Sequence, residues 1–108
     1  MKKLNKKIAV YVPSTFGSLP IDNTPYANHI LNALSCLFGG ATSQPGSGAW
    51  ISDTGALIVE NVTICFSYCS RQALKKNRKA LFAIAKDLCK ELKQDCVSVE
   101  INGKLFFV

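Results

Sequence analysis

Apolar and polar residues alternate along three segments of the chain and recur at helical spacing along two others. Residues 6–12 and 97–101 have the period of two that is typical of strands, and so does the long run 56–68. Apolar residues recur at helical spacing between 24 and 38 and again over about 70–94. With one further strand between the first helix and residue 56, the pattern predicts the order β-α-β-β-α-β and a short extra strand at the C-terminal end.

Residues with strong turn and cap preferences mark the ends of these elements. Asn23 or Thr24 is predicted to cap the first helix, with Pro25 at or near its first position. Gly39-Gly40 is predicted to end this helix, because glycine enters the left-handed cap conformation without a steric penalty. Asn102-Gly103 predicts a two-residue hairpin of the primed type.

Two stretches are less regular. Residues 13–24 are rich in turn formers and are predicted to be a loop. Pro45-Gly46 interrupts residues 41–52, which predicts an irregular edge or bulged strand. The element order matches a ferredoxin-like plait, an α+β fold in which two helices cover one face of an antiparallel sheet. Residues 1–108 would form one such domain, and we expect dimerisation or partner binding at the uncovered face.

Composition modifies this prediction in four ways. Charged residues make up 19% of the chain, below the usual share of about 25%, so some apolar surface is expected to be covered by a second copy. The formal net charge of +6 favours an acidic partner, either a protein surface or nucleic acid, although a merely soluble basic protein has the same charge. No segment has the roughly 18 consecutive apolar residues of a membrane helix, so we expect no membrane partner and a cytoplasmic location. The odd number of cysteines indicates reduced thiols: Cys36, Cys65, Cys69, Cys89 and Cys96.

The titratable residues do not form a recognisable catalytic or metal-binding pattern. His29 is the only histidine, and the seven carboxylates show no paired arrangement. No cysteine pair has the spacing of a zinc knuckle, and the glycines around residues 39–48 lack the lysine of a phosphate-binding loop. The sequence therefore predicts no catalytic residue, no metal site and no cofactor.

The predicted second helix has one charged feature with a defined geometry. Its basic residues occupy one arc of the helix surface, with Phe82 in the middle of that arc. Such a surface could bind a phosphate backbone or an acidic protein groove, and the alternative is a solvated face that keeps the protein soluble. Lysine outnumbers arginine, which argues against base-specific recognition. Trp50 and Phe82 are candidates for interface contacts. We call the following residues the basic face: Arg71, Lys75, Arg78, Lys79, Lys86, Lys90 and Lys93.

Three blocks of the sequence are distinctive: Phe38-Gly39-Gly40-Ala41-Thr42, Gly48-Ala49-Trp50, and then Gly55, Leu57 and Glu60. These blocks resemble a family of small bacterial proteins that occur in plasmid and phage-derived regions of Gram-positive bacteria. Some small proteins of that setting are anti-CRISPR inhibitors, and the resemblance implies no catalytic residues.

These observations favour a non-enzymatic interaction protein. The first hypothesis is an anti-CRISPR-type inhibitor of a bacterial nucleic-acid-processing complex, which binds protein or RNA through the basic face. The alternative is a small-molecule-binding or enzymatic plait with a pocket between residues 13–24 and Trp50. A structural homodimer is the third hypothesis.

Overall fold

Seven strands and two helices follow one another in the computed structural model, which describes all residues from 1 to 108. They are β1 (Lys6–Pro13), β2 (Thr15–Phe16), β3 (Leu19–Pro20), α1 (Thr24–Phe38), β4 (Thr42–Ile51), β5 (Leu57–Cys69), α2 (Arg71–Glu91), β6 (Ser98–Ile101) and β7 (Lys104–Phe107).

Five of the strands form one antiparallel sheet in the order β4-β5-β1-β6-β7. Strand β1, which precedes α1 in the chain, and strand β5, which precedes α2, lie side by side in the interior of the sheet. This order and the two helices on one face confirm the predicted α+β, ferredoxin-like plait. The short strands β2 and β3 form a separate two-stranded ribbon.

The hydrophobic core lies between the sheet and the two helices. Every second residue of β1 points toward the helices, and Ile8, Val10 and Val12 are fully buried there. Ile30 of α1 and Leu81 of α2 are equally buried on the helix side of the same cluster. Neither helix combines the length and the apolar character needed to cross a membrane.

The first helix begins and ends at its predicted caps, with one difference, and the second ends at Glu91, three residues before the predicted end. Gly39 ends α1 at φ 91°, and the hydroxyl of Ser70 accepts a hydrogen bond of 3.1 Å from the Ala73 amide at the start of α2. Asn23 occupies the N-cap position of α1, but its side chain makes no capping bond. The side-chain amide of Asn23 instead donates a hydrogen bond to the carbonyl of Val12 at the end of β1. Asn23 thus joins the helix to the sheet.

The prediction that Pro45-Gly46 interrupts the strand before residue 52 is wrong. Strand β4 is continuous, and all ten of its residues pair in register with β5. Its predicted position at the edge of the sheet is confirmed. An edge strand has one unpaired side, so the missing N–H of Pro45 does not have to break the ladder. Pro45-Gly46 therefore correctly indicated an edge strand but did not interrupt it.

The predicted hairpin turn is confirmed, and the predicted loop 13–24 contains a short ribbon. Asn102 and Gly103 both have positive φ, at 49° and 82°, as the primed hairpin between β6 and β7 requires. The predicted loop 13–24 contains the ribbon β2–β3, whose strands are too short to produce a periodic pattern.

Candidate ligand site on the open sheet face

The sheet face that the helices leave uncovered carries a groove of about 660 Å³. Its lining comes from all five strands of the sheet, and we call it the open-face groove. Tyr11 of β1 and Ile64 of β5 are register partners on its floor, and Trp50, Ser98 and Phe107 line it from β4, β6 and β7. Most of the lining is apolar or aromatic, and the volume lies within the range of about 300–1,000 Å³ that is usual for small-molecule sites.

Two glycines on β4 keep this groove open. Gly46 and Gly48 alternate on the groove side of the strand and oppose Val62 and Glu60 of β5. A Cβ atom at Gly46 would lie only 3.2 Å from Cδ1 of Ile64. Nothing in the sequence indicates a phosphate-binding loop at these glycines, but their position on the floor of the groove gives them a role in its shape.

The charge of the groove is opposite to that of the protein. Glu60 is its only charged lining residue, although the chain carries a net charge of +6. Glu60 is half-buried on β5 and stands across the ladder from Gly48. A carboxylate surrounded by apolar walls attracts a cation more strongly than the same group in open water, because the local dielectric constant is lower.

A tyrosine–glutamate pair lies beside the groove. The Tyr11 hydroxyl donates a hydrogen bond of 3.1 Å to Oε1 of Glu100. Burial is the main cause of an increase in the pKa of the Tyr11 phenol, and the hydrogen bond and negative charge of Glu100 raise it further. Tyr11 therefore stays protonated at neutral pH and serves as a donor rather than as a base.

A second cavity of about 410 Å³ adjoins the groove, and we call it the side cavity. Trp50 and Glu60 line both spaces and stand at their junction. Gly17 and Ser18, in the turn between β2 and β3, form part of the remaining wall. This is where the alternative hypothesis had expected a pocket, between residues 13–24 and Trp50.

The Gln94 side chain fixes the outer wall of the side cavity. Its amide nitrogen lies 3.1 Å and 3.2 Å from the carbonyl and the hydroxyl of Thr15, and 3.2 Å from the carbonyl of Gly17. It also lies 3.0 Å from the carbonyl of Leu92, which itself accepts a bond of 2.7 Å from the Gly17 amide. The loop after α2 and the ribbon β2–β3 are thereby held together.

The residues of the basic face are not all in one place. Six of them lie exposed along α2, on the outer side of the helix layer: Arg71, Lys75, Arg78, Lys79, Lys86 and Lys90. Lys93 lies beyond the end of α2 and lines the side cavity. It is therefore grouped with Trp50 and Glu60 rather than with the other basic residues.

Phe82 packs within the fold. Its ring contacts Phe106 of β7 edge to face, with the centroids 5.4 Å apart. The guanidinium of Arg78 covers both rings at 5.2 Å and 5.3 Å from their centroids. Trp50, the other interface candidate, is half-exposed at the junction of the two cavities.

No three His, Cys, Asp or Glu side chains are grouped so that they could hold a metal ion. All five cysteines are free thiols, and burial raises the pKa of Cys65 to about 11. Cys65 is part of the core and is separated from both cavities.

No protein-family model matches the chain, and no curated protein matches it by sequence. Three solved structures share its fold. A phage SAM lyase in complex with S-methyl-5′-thioadenosine superposes with a TM-score of 0.71 and 17% identity, over 100% of this chain and 94% of the other. The apo state of a phage SAM lyase gives 0.64 and 18% identity over the same shares. A Bacillus cereus protein related to NIF3 gives 0.55 and 15% identity, over 90% of this chain and 24% of the other.

These likenesses contradict the hypothesis of a non-enzymatic, anti-CRISPR-type inhibitor. The fold that the chain shares over its full length is that of an enzyme, and the alternative, a small-molecule-binding or enzymatic plait, fits better. The reason for the error is visible in the site. The sequence contains no cluster of titratable residues, whereas the open-face groove combines one carboxylate with apolar and aromatic walls from five separate strands. The resemblance to a mobile-element family is not tested by these comparisons and remains a prediction.

Proposed function

We propose that this chain binds S-adenosylmethionine (SAM) in the open-face groove and cleaves it as a lyase, with release of S-methyl-5′-thioadenosine. The observation that carries the proposal is the contrast in charge: a protein with a net charge of +6 has a groove whose only charged lining residue is Glu60. The phage SAM lyase with the same fold supplies the substrate class.

The chemistry of SAM fits the lining of the groove. Its nucleoside is aromatic and largely apolar, and its sulfur is a sulfonium cation. The half-exposed indole of Trp50 offers a face for stacking and for a cation–π contact. Glu60 lies at the same junction and supplies the opposite charge. A neutral thioether such as S-methyl-5′-thioadenosine would lose the attraction to Glu60, which favours release of the product.

The bond that breaks joins the sulfonium sulfur to the γ carbon of the amino-acid chain, and its electron pair returns to the sulfur. The γ carbon replaces its bond to sulfur in one of two ways. The substrate's own carboxylate attacks it and closes a lactone, or the neighbouring carbon loses a β proton and an alkene forms. Glu60 is the one carboxylate in the groove that could accept such a proton. Ring closure needs no base from the protein.

Glu60 is expected to act mainly on binding if the lactone forms. The positive charge on sulfur diminishes in the transition state, so a nearby carboxylate stabilises the substrate at least as much as the transition state. Apolar walls such as Val62 and Ile64 favour the reaction of a carboxylate with a sulfonium, because opposite charges neutralise each other more easily at low dielectric.

The test is an incubation of the purified protein with SAM, with mass-spectrometric detection of S-methyl-5′-thioadenosine and of the amino-acid product. Glu60→Gln is expected to raise KM roughly 10- to 100-fold, since a charge-assisted contact contributes on the order of 1.5–3 kcal/mol. The exposed Glu91 on α2 provides the matched control, Glu91→Gln. A lactone with a mainly raised KM supports charge neutralisation, and an alkene with a lost kcat assigns Glu60 as the base. Absence of both SAM binding and thioether release refutes the proposal.

We also propose that the chain self-associates and acts in the cytoplasm. Several large apolar side chains are strongly exposed, among them Ile51 at 65% and Leu57 at 63% near the tip of the β4–β5 hairpin, and Phe107 at 72% on the opposite edge strand. The free thiols are consistent with a reducing compartment. Light scattering after gel filtration tests the first proposal: a monomeric mass at micromolar concentration argues against it. No comparison supports an acidic protein or an RNA as the partner.

A further inference from the structure

We infer that the side cavity is the subsite for the amino-acid end of the ligand, with Lys93 bound to its carboxylate and Asp95 bound to its ammonium group. The inference rests on the proposed function, because it assumes that the groove holds a sulfonium nucleoside. It adds two specificity-determining residues that lie outside the groove and have no counterpart in its apolar lining.

Opposite charges are the first argument. Apart from Glu60 at the junction, Lys93 and Asp95 are the only charged residues that line the side cavity. An α-amino acid end is zwitterionic, so it needs one positive and one negative partner within a few ångströms of each other. The groove provides neither an ammonium nor a guanidinium group. The two spaces thus differ in chemistry in the same way as the two ends of SAM.

Continuity of the two spaces is the second argument. Trp50 and Glu60 line both of them, so a single ligand can extend from one into the other. With the nucleoside in the groove, the sulfonium lies at the junction beside Glu60. The amino-acid chain then points toward Gly17 and Ser18, whose turn leaves room for it.

The position of the Lys93 side chain is the third argument. Lys93 follows Leu92, the C-cap residue of α2, and its φ of +51° is the left-handed conformation that commonly ends a helix. Nζ of Lys93 lies 5.2 Å from the centroid of the Phe16 ring, which directs it toward the ribbon β2–β3. The turn of that ribbon forms part of the wall of the side cavity.

The loop that carries both residues is held in place before any ligand binds. The backbone amide of Gln94 donates a hydrogen bond of 3.0 Å to the backbone carbonyl of Cys89. The Cys89 thiol in turn donates one of 3.1 Å to the backbone carbonyl of Gln94. The Lys93 amide donates to the Lys90 carbonyl at 3.2 Å. Together with the bonds of the Gln94 side chain to the ribbon, these contacts fix the backbone between Lys93 and Asp95. A preorganised loop binds a small ligand at a lower entropic cost.

The test compares three probes by isothermal titration calorimetry: SAM, decarboxylated SAM, which lacks the carboxylate, and S-methyl-5′-thioadenosine, which lacks the amino-acid end. Lys93→Met is expected to weaken SAM about tenfold and to leave decarboxylated SAM within twofold of wild type. Asp95→Asn is expected to weaken both of these probes and to leave S-methyl-5′-thioadenosine unchanged. Lys86→Met and Asp87→Asn, two exposed positions on α2, are the matched controls.

A further variant separates recognition from folding. Lys93→Gly removes the side chain and also relieves the left-handed backbone, so it is expected to raise the melting temperature and to lose the same tenfold in SAM affinity. Equal losses for SAM and decarboxylated SAM, or no loss in Lys93→Met and Lys93→Gly, would overturn the role of Lys93 while the proposed function stands. A wild-type protein that binds none of the three probes would overturn the subsite and the proposed function together.

Discussion

The side chain of Gln94 provides a measurable link between stability and the candidate site. Gln94→Ala removes the amide that bonds to Thr15, Gly17 and Leu92 and leaves the rest of the chain unchanged. The ribbon β2–β3 would lose its side-chain attachment to the loop after α2. One backbone bond, from the Gly17 amide to the Leu92 carbonyl, would remain. We expect a less stable protein whose side cavity is poorly defined.

The magnitude follows from the geometry of the amide. Four acceptor atoms lie between 3.0 Å and 3.2 Å from its nitrogen, but an amide group has only two hydrogens, so about two full hydrogen bonds form at any time. Each contributes a net stabilisation of about 1 kcal/mol. The Gly17 carbonyl is exposed and can bond to water, and the Leu92 carbonyl keeps its bond from the Gly17 amide. Thr15 is buried, so the loss of its partner adds to the cost. The expected loss is at least about 2 kcal/mol, which corresponds to a decrease of at least about 8 °C in Tm for a domain of this size.

Urea denaturation followed by circular dichroism measures this loss directly. Gln72→Ala is the matched control, because Gln72 is exposed on α2 and forms no side-chain hydrogen bond. Titration of both variants with SAM then shows whether the attachment also supports binding. A free energy of unfolding for Gln94→Ala within 0.5 kcal/mol of that for Gln72→Ala would refute the reasoning about the amide bonds.

Three further predictions concern the groove, a helix cap and a buried thiol. Gly46→Leu fills the floor of the open-face groove and is expected to abolish SAM binding in calorimetry, whereas Ser43→Leu on the other side of β4 should bind normally. Ser70→Ala removes the cap of α2 and is expected to cost about 1 kcal/mol in urea denaturation; an unchanged midpoint would contradict the cap. Burial raises the pKa of Cys65 from 9.0 to about 11, so the native state holds this proton more tightly than the unfolded chain. Stability is therefore expected to fall as the pH rises from 9 toward 11, by up to about 1.4 kcal/mol per pH unit, and Cys65→Ala should lose this part of the pH dependence.

Those parts of the fold that depend on local chemistry were predictable from the sequence. Gly39 ends α1 and Asn102-Gly103 forms the hairpin because the backbone conformations there exclude most other residues. The continuity of β4 was not predictable, because the effect of Pro45 depends on whether the strand lies at an edge of the sheet. The attachment of the ribbon was also hidden, since Gln94 and Thr15 are 79 positions apart and nothing in either segment indicates the other.

Individual members of the candidate site were named in the sequence with different roles. Trp50 was named both as an interface candidate and as one side of the pocket in the alternative hypothesis. Lys93 was placed in the basic face, and Glu60 was one of seven carboxylates without a paired arrangement. The groove arises only when alternating residues of β1, β4, β5, β6 and β7 meet on one face of the sheet. The spacing of residues along one strand shows which side chains share a face of the sheet. It does not show which side chains of the other strands lie beside them.

Trp50 has a practical consequence that follows from its being the only tryptophan in the chain. Because its half-exposed indole stands at the junction of the two cavities, all of the tryptophan fluorescence of the protein originates at the candidate site. A ligand that displaces water from the indole would shift the emission toward the blue, and no dye or engineered label is required. The molecule thereby carries its own optical probe, which rapid-mixing instruments can follow on the millisecond timescale of ligand entry and product departure.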